Sequence, residues 1–133
     1  MKHEGSCLCG AVAYEVDGLL RNVIGCHCRQ CRKTTGHFLA ATAASLDDFR
    51  LTRDEGLAWY TSSEQAKRGF CRICGSTLFW QRAERGYIAI AAGSLDGTTG
   101  LKIEGHIFCA DKGDYYELHD GDYRRLQWLN EAR

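Results

Sequence analysis

Apolar and polar residues alternate over several short stretches of this chain, the period-two signature of half-buried strands. Val12, Tyr14 and Val16 share one parity, Phe79 sits among alternating neighbours, and Tyr87-Ile88-Ala89-Ile90 and Ile103 to Phe108 are also strand-like. Fifteen glycines punctuate these stretches, in pairs such as Asp17-Gly18, Asp96-Gly97 and Asp120-Gly121, where hairpin turns need positive φ. The pattern predicts a mainly β fold of antiparallel sheets with one to three short helices. One helix is expected from Arg29 to Thr35. A second is expected to open at Ser45 as N-cap, with Asp47 and Asp48 in its first turn. A third would run over 123–130 and pack Leu126 and Leu129 on the sheet.

A chain of 133 residues can bury one core but not comfortably two, and no proline, repeat or low-complexity stretch marks a linker. A single domain over 1–133 is therefore expected. Lys plus Arg and Asp plus Glu both number 17. No overall field draws the chain to nucleic acid, an anionic membrane or an acidic protein, so a charged ligand must be attracted locally. The first residues carry no apolar targeting core and no apolar run is long enough to cross a bilayer, which points to the cytoplasm. There, thiol buffers keep cysteines reduced, and eight cysteines point to metal rather than disulfides.

Seven of the eight fall into three groups: Cys7-Leu8-Cys9-Gly10, Cys26-His27-Cys28-Arg29-Gln30-Cys31, and Cys71-Arg72-Ile73-Cys74-Gly75. A CxxC followed by glycine is a zinc-knuckle pattern, with two thiolates on one ion and glycine letting backbone N–H groups approach the sulfurs. A structural zinc takes four ligands, so Cys71 and Cys74 need another pair, and Cys7 and Cys9 are the natural one. The central CxCxxC offers three thiolates and no second knuckle to complete a cage. Three protein ligands with an open fourth position is the usual design of a catalytic zinc, and three thiolates suit thiol chemistry better than water activation. A closed alternative stands beside this, with His27, His37, His106 or Cys109 as fourth ligand. His27, on an extended stretch, points away from the faces of Cys26 and Cys28 and suits a solvent-facing or supporting role. Cys109, in the apolar run Ile107 to Ala110, reads as a small buried hydrophobe. Arg29, Arg32 and Lys33 cluster beside the central group and together could bind a small dianion.

These motifs, with Phe70 to Ser76, Gly93-Ser94-Leu95-Asp96 and His106-Ile107-Phe108 in order, resemble the glutathione-dependent formaldehyde-activating enzymes and their wider family, which includes the centromere protein V type. The resemblance spans Gly5 to Tyr116. It implies a "β-tent" fold around two zinc ions, one on Cys7, Cys9, Cys71 and Cys74 and a second, catalytic one on Cys26, Cys28 and Cys31. It also implies a carbon–sulfur lyase of the S-(hydroxymethyl)glutathione synthase type, joining glutathione or another small thiol to formaldehyde, with Arg29, Arg32 and Lys33 facing the thiol's carboxylates. Two other functions stand open to such a chain: a non-catalytic zinc module for a protein partner, and a methionine sulfoxide reductase of the B type, which shares knuckle zinc chemistry and for which Cys109 is the only candidate nucleophile. Oligomeric state is not legible. The chain departs from the family pattern at Cys109 and at Lys112-Gly113-Asp114-Tyr115, where a segment with proline and tryptophan is more usual.

Overall fold

The computed structural model describes residues 1–119; the helix expected over 123–130 and the Asp120-Gly121 turn lie outside them. The strands in chain order are β1 (Lys2–Ser6), β2 (Ala13–Asp17), β3 (Val23–Cys26), β4 (Leu39–Ser45), β5 (Phe49–Arg53), β6 (Leu57–Thr61), β7 (Ala66–Cys71), β8 (Thr77–Arg82), β9 (Tyr87–Ala91) and β10 (Ile103–Ile107), with one α-helix, α1 (Arg29–Thr35), after β3. The fold is mainly β, as the alternation predicts. The residues gather into two compact units, the first from Met1–Arg21 and Thr42–Gly100, the second from Asn22–Ala41 and the chain from Leu101 onward.

In the first unit β1, β2 and β5 form a three-stranded antiparallel sheet in that order, and β6 to β9 form an antiparallel meander. The predicted parity of β2 is its core face: Val12, Tyr14 and Val16 are at most 1% exposed. Tyr14, Phe49 and Phe79 pack their rings 5.3–5.7 Å apart, within the range aromatic pairs favour. In β8 and β9 alternation gives way to continuous burial, since Leu78 and Phe79 are both buried and so are Ile88, Ala89 and Ile90. Those strands are covered on both faces.

In the second unit β3 lies between β4, its antiparallel neighbour, and β10, which runs parallel to it with Ile107 opposite Cys26. A Cβ on Gly25 would run into the His106 ring and come within 3.1 Å of Phe38, so glycine is what lets both rings lie against the strand.

Two local expectations are corrected. No helix follows Ser45: its hydroxyl accepts from Asp47 N–H at 3.2 Å and its carbonyl from Asp48 N–H at 3.0 Å, a turn that leads straight into β5. The serine that would cap a helix instead closes a Ser-type turn, the competing use of the same hydroxyl. Beyond β10, Phe108 takes a left-handed φ of 55° and Cys109 opens a 3-10 turn over Cys109–Asp111, so Cys109 is half-buried in a turn rather than on a strand. Gly97 does adopt a positive φ of 67°, but in the loop before β10 rather than in a hairpin.

Candidate metal centres

The first unit brings Cys7, Cys9, Cys71 and Cys74 together, all four sulfurs within 4.8 Å of one another. Cys7 follows β1 and Cys71 ends β7, so the cluster joins two segments more than sixty residues apart in sequence. Both knuckle glycines carry left-handed φ, 85° at Gly10 and 82° at Gly75, and nothing lies within 4 Å of a Cβ on Gly75. Glycine is required at that position for its backbone, not for space. The turns close through Gly10 N–H to the Cys7 carbonyl at 3.3 Å and Gly75 N–H to the Cys71 carbonyl at 2.7 Å.

Sulfur separations of 3.7 Å for Cys7 to Cys9 and 3.8 Å for Cys9 to Cys71 fit a metal tetrahedron. Zinc–sulfur bonds of about 2.3 Å require tetrahedron edges of about 3.8 Å. The sulfurs are unequal. The Ser76 hydroxyl, 3.2 Å away, together with backbone N–H groups lowers the Cys74 thiol to about 5. Cys7 is lowered as well: desolvation opposes ionisation, but the Val12 N–H at 3.3 Å and the sulfurs of Cys71 and Cys9 outweigh it. At Cys9 the Ala11 N–H favours the thiolate, yet desolvation and the Cys7, Cys74 and Cys71 sulfurs push the thiol up to about 11. Crowded thiolates repel, and a soft cation among them removes the conflict.

The second unit gathers Cys26, Cys28 and Cys31, again within 4.8 Å. Cys26 is the last residue of β3, Cys28 is the N-cap of α1, its sulfur accepting from Cys31 N–H at 3.4 Å, and Cys31 sits in the first helical turn. A strand end running into a helix start therefore aims three sulfurs at one point. The Cys28 sulfur, then that of Cys31, pushes the Cys26 thiol far above the usual range, the same repulsion a bound cation would relieve.

Of the four residues weighed as a fourth ligand, none joins the group among the described residues. His27 is fully buried rather than solvent-facing. Its Nδ1 lies 2.5 Å from the Tyr116 hydroxyl and its Nε2 2.9 Å from His106 Nδ1, so both ring nitrogens are occupied. Desolvation, then His106, His37 and Lys112, lowers its pKa to about 4 and keeps the ring neutral at physiological pH. His37 pairs through Nδ1 with the Tyr115 hydroxyl at 2.8 Å.

Among the basic residues, Arg29 and Lys33 are exposed and one turn apart on α1, hence on one face. Arg32 is half-buried and donates Nε–H to the Asp111 carbonyl at 2.7 Å, tying α1 to the turn after β10. Sequence reasoning missed Phe38, Lys112 and Tyr116. Phe38 stacks on His27 at 4.6 Å, and Lys112 lies 4.8 Å from the Tyr116 ring centroid while donating to the carbonyls of Gly113 at 2.9 Å and Tyr116 at 2.5 Å. The departure from the family pattern at Lys112 to Tyr115 was the available signal. It marked a segment with its own role but not where that segment lies.

The profile of the family described as glutathione-dependent formaldehyde-activating enzyme matches residues 2–111, a span that contains both sulfur clusters. The chain belongs to this family. An uncharacterized lyase of Schizosaccharomyces pombe is 28% identical over 120 residues, which cover 88% of this chain and 85% of that one. The crystal structure of a Rhodobacter sphaeroides protein solved by the Northeast Structural Genomics programme superposes with a TM-score of 0.61 at 33% identity, covering 73% of this chain and 91% of that chain. Tyr116 falls beyond the matched residues. Among the described residues, no helix is long and apolar enough to cross a membrane.

Proposed function

We propose that this chain is a zinc-dependent carbon–sulfur lyase of the S-(hydroxymethyl)glutathione synthase type, which joins the thiol of glutathione or a similar small thiol to formaldehyde. Membership of the family and the lyase named in fission yeast support the class. The observation that carries the site assignment is the three-sulfur group Cys26, Cys28 and Cys31, with no fourth protein ligand among the described residues and both nitrogens of the intervening His27 already bonded.

All-sulfur donor sets fit zinc, so Cys7, Cys9, Cys71 and Cys74 would hold one ion as a structural crosslink and Cys26, Cys28 and Cys31 a second. When bound at the three-sulfur group, zinc supplies a Lewis acid that favours ionisation of a thiol brought to its open side. The chain's residues supply the rest. Arg29 and Lys33, exposed and one turn apart on α1, would meet the carboxylates of a peptide thiol, while Arg32 holds α1 against the turn after β10. The rate gain expected from such a site is chiefly proximity and orientation of sulfur toward carbon. In the reaction the thiol sulfur bonds to the carbonyl carbon, the carbon–oxygen π bond opens toward oxygen, and the thiol proton ends on that oxygen. No oxidant or reductant is needed.

The test is exchange NMR with 13C-formaldehyde and glutathione, comparing adduct formation with and without the zinc-loaded protein. Acceleration above the spontaneous rate, lost in Cys28→Ser, is expected. Equal rates in both samples would leave the chain as a zinc module without this activity.

A further inference from the structure

Tyr116 and His106 reach His27 from 89 and 79 residues away along the chain, and between them they take both nitrogens of its ring. In sequence His27 lies between Cys26 and Cys28 of the candidate catalytic group, and it is fully buried. Its backbone N–H donates to the Ile107 carbonyl at 3.0 Å, and Phe38 stacks on the ring at 4.6 Å. We propose that Tyr116 is a positioning residue for the Cys26-His27-Cys28 segment, its hydroxyl fixing the His27 ring and, through it, the directions in which Cys26 and Cys28 present their sulfurs to a metal ion. This rests on the reading of the three-sulfur group as a metal site.

The chemistry of the ring explains why two partners matter. A neutral imidazole has one N–H and one bare nitrogen, so one of its two bonds uses it as donor and the other as acceptor. A ring held at both ends inside a buried pocket cannot turn without leaving a polar atom unpaired. Successive residues of an extended segment point to opposite faces, so a fixed His27 sets the opposite orientation for Cys26 and Cys28. Tyr116 is itself held: Lys112 donates to its carbonyl and lies over its ring. Contacts made directly to metal ligands change affinity about 10–100-fold, and Tyr116 acts through the residue between two ligands, so the lower end of that range is expected.

The experiment measures release of zinc from the full-length, zinc-loaded chain to a chromogenic chelator, with thermal melting followed in parallel. Tyr116→Phe keeps the ring and removes the hydroxyl. It should speed release from the three-sulfur group about ten-fold, leave the four-sulfur ion in place, and lower the melting temperature by only about a few degrees, because the buried His27 Nδ1 loses its partner. His27→Gln places an amide near the Nε2 position and has nothing to meet Tyr116 at Nδ1, so in that background Tyr116→Phe should change release less than about two-fold. Equal effects of Tyr116→Phe in both backgrounds would mean that Tyr116 acts by packing alone, and would overturn the proposal. Two bound ions whose release ignores Tyr116→Phe would overturn it too and leave the metal reading standing. A metal content unaltered by Cys28→Ser would overturn both.

Discussion

Gly56 is the place where the four-sulfur cluster meets the tightest packing, and Gly56→Ala tests that packing directly. A Cβ there would stand 2.8 Å from the Cys71 sulfur and 2.8 Å from the Ala11 Cβ, closer than real Cβ contacts come. The backbone has little room to yield. Gly56 N–H donates to the Ala11 carbonyl at 3.1 Å, and its carbonyl accepts from Arg72 N–H at 2.7 Å, so the residue is stapled to both knuckles. Overpacking of this kind costs about 1–3 kcal/mol. For 133 residues the unfolding entropy is about 0.28 kcal/mol/K, so a loss of about 2 kcal/mol lowers the melting temperature by about 7 °C. The loss should be larger with metal bound, because an ion fixes the Cys71 sulfur that the new methyl must displace. Gly36→Ala is the control: its left-handed φ of 85° is strained for alanine, but nothing lies within 4 Å of the new methyl. Its cost of about 1 kcal/mol should be the same with and without metal. Calorimetry of both variants, zinc-loaded and stripped, decides the matter. If Gly56→Ala melts within a degree of wild type, or loses equally in both states, the close approach of Gly56 to Cys71 is not what holds the knuckle.

Cys28→Ser should lower the metal content measured by elemental analysis from two ions per chain to one and leave α1 intact by circular dichroism, since serine is itself a good N-cap where Cys28 now caps. Graded chelation should remove the ion of the three-sulfur group first with little change in melting temperature, and that of the four-sulfur crosslink second with a large drop in melting temperature; simultaneous loss of both would count against unequal sites. Tyr14, buried and bonded to the Ser94 hydroxyl at 2.6 Å, has its phenol raised by burial from 10.0 to about 12. A raised folded pKa contributes stability that is complete below the unfolded value of 10.0 and lost as pH rises toward 12, so alkaline melts should show a decline that Tyr14→Phe flattens. Arg50→Ala should let the Glu15 carboxyl return upward in an NMR titration, because the Arg50 hydrogen bond is the main cause of its lowered pKa.

What could be read from the sequence here followed from local physics, and what could not followed from partners. The parity of Val12, Tyr14 and Val16, the span of α1 and the composition of both sulfur groups are visible within a few residues, because side-chain period and ligand spacing are local quantities. The parallel pairing of β10 with β3 is not, since nothing in either strand names the other. His27 shows the difference at a single residue. Alternation correctly sets it opposite Cys26 and Cys28, but whether that opposite face meets water or core depends on Phe38, His106 and Tyr116, the last two about eighty and ninety residues on. The same ring nitrogens that would have made His27 a fourth ligand are taken by those partners. The case for an open three-sulfur site therefore draws on the residues that the sequence left unplaced.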